Sequence, residues 1–455
     1  MTTPVDVTTP PPAPASAAAS ASRITTLATV AALLIAGYWT GRVAFENHHE
    51  DLWIYSSGSW FGLQGLSPYD TERIHARVDE KWADDSNLHG NAGFFLSPQA
   101  LLIFLPYALL PWIWAKLVWC AVTVGLTAAA ALGLRNLASG RLPTWFSAAA
   151  VVAVLLNPLS LFVLIVGQTT LFLFTCVVFG QWAFVRGWPR VGCLLWALAF
   201  FKPHIALPLL PLAWYLYGWK RAAEVAIWVG ALNVLVGVAF YGNPLFALEY
   251  LSYVQQGHKT VVFNRVEMNR QITSWNRLLV ACGGPVTELG AVGMVAGYLV
   301  FGLLIAVRVR VLGLSRLRDA TSWAFALTGC AILSCCQLLP YELPLVLLGL
   351  PYLGELLLSE RRRDQVAAGV ILLATSFAMI PGGDASAWYR TINYLSLNET
   401  AEVILKSHRS LGVLVVTVTV LLNGPVSRFR HIQSEPAGRG ERRVTGERSA
   451  MASAT

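Results

Sequence analysis

The chain has 455 residues, of which 55% are hydrophobic and only 13% charged, with 17 tryptophans and a mean hydropathy of +0.56. A soluble protein carries about a quarter charged residues, so this composition defines an integral membrane protein. The net charge of +8 is scattered in small groups between apolar runs, which excludes a nucleic-acid surface and reads instead as a set of orientation signals.

Residues 1–22 (MTTPVDVTTPPPAPASAAASAS) are too polar and Pro-rich to bury a core and are expected to form a tail. Apolar runs follow at 24–45, 112–134, 144–166, 169–185, 190–201, 204–218, 222–241, 288–306, 320–338, 343–358, 366–380 and 408–424. A helix crosses the roughly 30 Å of hydrocarbon with about 20 residues, and none of the runs has the alternation of a membrane barrel. The expected fold class is therefore all-α, with about twelve transmembrane helices. Residues 23–425 form the polytopic domain, and 426–455 are a second polar tail.

The segment 94–110 (FFLSPQALLIFLPYALL) is apolar enough to be a thirteenth span but is interrupted by Pro98 and Pro106. Basic pairs at Arg135/Arg141, Arg186/Arg190, Lys220/Arg221 and Arg428/Arg430, with the runs Arg308 to Arg318 and Arg361 to Arg363, fall on one side only if 94–110 does not cross. It is therefore expected to lie in the outer interface, where protein covers its broken backbone. Both tails are then cytoplasmic, and three long loops, 46–111, 242–287 and 381–407, are outside. The seven cysteines lie mostly inside apolar runs and form no CxxC, as buried thiols do.

An acidic residue follows the first run (Asp51, with Tyr55). Next come a G-x-SPYD motif at 65–70, the Pro-containing FFLSPQALLIFLPYALLP at 94–111, Asn157-Pro158, GQTTLFL at 167–173 and AFFKPH at 199–204. In this order and spacing the chain resembles glycosyltransferase family 87 over roughly residues 30–380. The resemblance implies a C-type membrane glycosyltransferase fold. It further implies transfer of a sugar, mannose in the α-1,2-mannosyltransferases of the family, from a polyprenyl-phosphate donor to a glycolipid or glycan hydroxyl. The transfer so implied is inverting and takes place on the outer face of the plasma membrane; no cofactor is expected. Asp51 matches the family's general base. Leu96-Ser97-Pro98 stands where the family has Tyr-Pro-Pro, and the segment Leu339 to Glu342 departs from the corresponding region.

A carboxylate within hydrogen-bond reach can take the proton of an attacking hydroxyl, and Asp51 is placed for this at a cavity mouth, with a solvated loop acid as the alternative. Asp70 is a second carboxylate, in a sequence that also reads as a turn. Lys202 and His204 end an apolar run where an unpaired cation is costly. They are expected to hold the donor phosphate, unless Lys202 snorkels to the interface. Arg265, Arg270 and Arg277 are further phosphate ligands in prospect, because a guanidinium fork matches phosphate. Tyr55, Tyr69, Gln168 and Glu342 are expected at the sugar or acceptor, with a helix cap as the alternative for Gln168 and a structural ion pair for Glu342. The run His48 to Asp51 is too contiguous to converge on one metal ion, and no metal is expected. No P-loop, Rossmann glycines or nucleotide-sugar DxD is present. A transporter or lipid flippase is the alternative class, although the halves of the chain show no repeat; a non-catalytic assembly protein is a third.

Overall fold

A computed structural model describes residues 15–45, 49–82, 93–138, 142–260, 273–281, 290–314, 320–336, 338–380, 387–395 and 399–426. Among these residues every regular element is helical, and the one β-type contact is the isolated antiparallel bridge between Thr273 and Leu338. The first helix, Ala15–Ala44, begins inside the segment expected to be a tail.

The count of about twelve spans is not reproduced. Among the described residues three helices are long and apolar enough to cross a membrane: Trp112–Leu137, Trp219–Tyr241 and Gly293–Val311. A fourth crossing results if the bent pair Trp145–Leu155 and Pro158–Val166 counts as one. Thr170–Val185, Pro189–Phe201, Thr321–Cys335 and His408–Asn423 are apolar but shorter. Proline breaks two of the expected runs. The run expected to span 343–358 carries Pro344 and Pro351, with Pro340 just ahead of it; these remove backbone donors, and the segment folds as a 3₁₀ helix Pro340–Gly349 followed by Leu350–Leu357. The run at 204–218 breaks in the same way, into Pro203–Ala206 and Leu209–Tyr217.

Burial separates central from peripheral helices. Thr170–Val185 and Thr321–Cys335 are buried on nearly all faces, as a helix apolar all round should be. Trp112–Gly133 instead buries a stripe running Ala115, Trp119, Thr123, Thr127 and Ala131, and turns Val118, Val122 and Leu132 outward. Trp219–Tyr241 buries only Val225, Val236 and Gly237, so most of its apolar surface suits hydrocarbon rather than protein.

The break at Asn157-Pro158 bends the two half-helices by 53°. Pro158 has no N–H to donate and tolerates the first helical position. Asn157 caps the second half, its Oδ1 accepting from the Ser160 amide at 2.8 Å, while its Nδ2 donates to the Ala153 carbonyl of the first half at 2.8 Å. The second half ends at Gly167, in the left-handed region with φ 74°, where glycine carries no Cβ penalty. That turn delivers Gln168 to the site.

The expected interfacial segment contains a nine-residue helix, Ala100–Ala108, with Pro106 inside it. At about 1.5 Å per residue it is too short to cross alone. It packs against Glu50–Leu63, where the Ser59 hydroxyl donates to the Leu101 carbonyl at 3.1 Å.

Candidate active site

Asp51 lies in the first turn of the helix Glu50–Leu63 rather than in a loop. A helix N-terminus favours an anion there. The preceding His49 adopts φ 75°, the one positive-φ non-glycine among the described residues. Its amide donates to the Ile165 carbonyl at 3.1 Å, and its ring nitrogen Nε2 lies 3.2 Å from Cys120 Sγ. These contacts tie the start of the helix to the end of Pro158–Val166 and to Trp112–Gly133. A Cβ on Gly167 would come within 2.7 Å of Leu52 Cβ. Only glycine permits both the left-handed turn and this approach, and together they set Gln168 beside Asp51.

Lys202 comes to the same place from a third segment. The backbone ahead of it is held by Ser97 and Gln99: the Ser97 amide donates to the Phe201 carbonyl at 2.9 Å, the Ser97 hydroxyl to the Phe200 carbonyl at 2.9 Å, and Gln99 Nε2 to the Ala197 carbonyl at 2.9 Å. The Ser-Pro-Gln motif thus clamps the turn that presents the lysine. Glu342, at the start of the 3₁₀ helix Pro340–Gly349, supplies the fourth segment.

The side chains form one continuous chain of hydrogen bonds. Gln168 Nε2 donates to Asp51 Oδ2 at 2.8 Å. Lys202 Nζ donates to Gln168 Oε1 at 2.9 Å and to Glu342 Oε1 at 2.5 Å. Thr170 Oγ1 donates to Glu342 Oε2 at 2.5 Å. Lys202 and Glu342 are both at least 95% buried, and the ammonium also lies 5.6 Å from the Tyr341 ring centroid. Burial pushes the Asp51 carboxyl from its ordinary 3.8 up to about 7. Lys202 and the hydrogen bond from Gln168 act against that rise, whereas Glu50 and Glu342 add to it.

Four expected site residues, Asp51, Gln168, Lys202 and Glu342, are therefore brought together. Tyr55 is buried within the same electrostatic neighbourhood and packs on Phe104, with ring centroids 5.0 Å apart. Tyr69 belongs elsewhere: its hydroxyl donates to the Leu96 carbonyl at 3.1 Å, and its ring sits among Phe94, Phe246, Tyr250 and Tyr253. The His204 carbonyl accepts from the Tyr298 hydroxyl at 2.8 Å. Arg265 and Arg270 lie outside the described residues. Arg277 is buried, with Nε donating to Ser407 Oγ at 3.2 Å. Asp70 caps the helix Thr71–Trp82, accepting from the Arg73 amide at 3.3 Å and pairing with its side chain at 2.7 Å. Thr170 was not anticipated, although its place beside Gln168 at a helix start was a usable signal. Among the described residues no group of His, Cys, Asp or Glu is disposed to hold a metal ion.

A helical membrane chain that gathers a carboxylate, an amide and a buried ion pair from four distant segments has the build of a membrane enzyme. The sequence profile of glycosyltransferase family 87 matches residues 94–339. That match covers more than half of the chain, which belongs to this family and is a glycosyltransferase. Gln168 and Lys202 fall within the matched region, Glu342 just beyond its end, and Asp51 before its start. No curated protein and no solved structure matches the chain.

Proposed function

We propose that the protein transfers a sugar, mannose in the reading the family resemblance favours, from a polyprenyl-phosphate carrier to a hydroxyl of a glycolipid or glycan on the outer face of the plasma membrane. The observation that carries this reading is Asp51: a carboxylate whose Oδ2 is occupied by Gln168, whose Oδ1 accepts no hydrogen bond among the described residues, and which titrates near neutrality. A base is most effective when its pKa lies near the working pH. In the step, the acceptor oxygen bonds to the anomeric carbon and its proton passes to Asp51. The bond from that carbon to the phosphate oxygen breaks, and its electron pair leaves with the lipid phosphate. Single displacement inverts the anomeric centre. It suits a site where one carboxylate is open and the second, Glu342, is engaged by Lys202 and Thr170.

Because Lys202 is already paired, most of the charge offered to the leaving phosphate falls in this reading to Arg265, Arg270 and His204. Tyr55 flanks the acceptor. Protein purified in detergent, supplied with radiolabelled polyprenyl-phosphate-mannose and a panel of glycolipid acceptors, should form labelled product. Asp51→Asn should reduce the rate by about 10² to 10⁴ while still binding the donor. Turnover within about threefold of the parent, well short of that range, would exclude Asp51 as the base.

A further inference from the structure

We infer that Gln168, oriented by the buried Lys202–Glu342 pair, is a positioning residue that fixes which oxygen of Asp51 receives the proton, and so directs the base at the acceptor. The inference rests on the reading of Asp51 as the base and goes beyond it, because it assigns the neighbouring residues to the carboxylate rather than to the phosphate or the sugar.

Hydrogen-bond polarity fixes which way the amide faces. An ammonium can only donate, and a primary amide donates through nitrogen and accepts through oxygen. Lys202 Nζ lies 2.9 Å from one end of the Gln168 amide, so that end has to be the oxygen. Thr169 N, also a donor, approaches the same Oε1 at 3.2 Å. The amide's other end is then NH₂, and it meets Asp51 Oδ2 at 2.8 Å. An oxygen that accepts from NH₂ in this way is a poor place for a proton, since a hydroxyl there would face another donor. The incoming proton therefore goes to Oδ1. Glu342 completes the device, since its Oε1 at 2.5 Å holds the lysine in place while Thr170 steadies its Oε2.

Few other charges compete for Asp51. Its own helix contributes Glu50 and Tyr55, and the Pro340–Gly349 element contributes Tyr341 beside Glu342. On Thr71–Trp82, Arg77 lies over the Trp53 ring with its guanidinium 4.9 Å from the centroid, and Arg73 pairs with Asp70. Ala100–Ala108 and Pro158–Val166 contain no charged residue. On Trp219–Tyr241 the charged residues Lys220, Arg221 and Glu224 occupy the end away from Tyr241, whose hydroxyl lies beside Gly62. Lys116, on Trp112–Gly133, lies over Trp112 and near Cys120, the partner of His49.

The test is an infrared titration of the protonated-carboxyl band in reconstituted protein, with Asp51 assigned by difference against Asp51→Asn. It requires no substrate. The parent should titrate near 7. Gln168→Met removes a hydrogen bond to a charged group and should move the midpoint up by about one to two pH units. Gln168→Glu, nearly isosteric and polar enough to preserve the fold, should also raise it by placing a like charge beside Asp51. Lys202→Met should raise it too, and should add to the effect of Gln168→Met, because the cation also acts on Asp51 directly. The acid limb of the transfer rate should move with the band. A band that stays in place in both Gln168 variants overturns the inference. If instead the band moves but Asp51→Asn still transfers sugar, the base reading fails and the network is structural.

Discussion

Replacing Asp51 by Asn should make the protein more stable at pH 8 while abolishing its turnover. The carboxyl ionises near its ordinary 3.8 in the unfolded chain and near 7 in the folded one. Above pH 7 it is charged in both states, and the folded state alone carries the burial penalty. The gap of about 3 pKa units corresponds to about 4 kcal/mol at 1.36 kcal/mol per unit, an upper bound for a side chain that is only partly buried. Asn keeps an oxygen that can accept from Gln168, so the hydrogen bond survives without the charge. The folded state binds more protons than the unfolded one between pH 4 and 7, so this group's contribution to stability falls as pH rises through that window. The advantage of Asp51→Asn should therefore be largest at pH 8, shrink as pH falls through 7, and vanish near pH 4. Thermal inactivation followed by size-exclusion chromatography in detergent reads the effect as a rise of several degrees. A variant equal to or less stable than the parent at pH 8, or a difference that does not change with pH, would refute the assignment of a raised pKa to Asp51.

Gly167→Ala places a Cβ 2.7 Å from Leu52 at a left-handed φ, so it should cost about 1–3 kcal/mol and lower turnover without weakening donor affinity, as read by thermal inactivation and a donor-binding assay. Lys202→Met leaves Glu342 buried without its cation and should destabilise by about 3–5 kcal/mol. The double change Lys202→Met with Glu342→Leu should recover most of that stability but not the activity; a double variant as unstable as the single one would show that the pair is not coupled. Single cysteines at Glu80 and Arg362 should label from opposite sides of the membrane, and labelling of both from one side would overturn the outward placement of 46–111.

Chemistry was more legible in the sequence than architecture. The motifs around Asp51, Gln168, Lys202 and Glu342 named four residues that do converge, because each polar side chain stood out against an apolar background. Their mutual roles were not legible. An isolated lysine at the end of an apolar run reads equally as a phosphate ligand or a snorkelling cation, and only the 2.5 Å contact with Glu342, 140 residues away, shows that its charge is already engaged. The surroundings of Tyr69 were equally illegible: an aromatic hydroxyl beside a turn looks like a ligand contact, and the four neighbouring rings come from segments far apart in the chain. Span counting by hydropathy did not resolve the breaks at Pro203, Pro208 and Pro344, because a window average weighs composition and is blind to the missing backbone donors. Asp51 was assigned to a loop because helical periodicity is weak in Glu50–Leu63, whose buried residues occupy almost every face.

The order of synthesis gives the Lys202–Glu342 pair a further consequence. The ribosome delivers the lysine first and its partner 140 residues later, an interval of roughly 7–28 seconds at about 5–20 residues per second. During that time an ammonium at the end of an apolar segment has no Glu342 to meet, and water at the insertion channel or the lipid headgroups has to hold it. The Pro203 and Pro208 interruptions keep this region from closing into one continuous helix. Nascent chains that end before residue 342 should accordingly remain beside the channel and be prone to degradation, whereas those that extend past it can bury the lysine and leave.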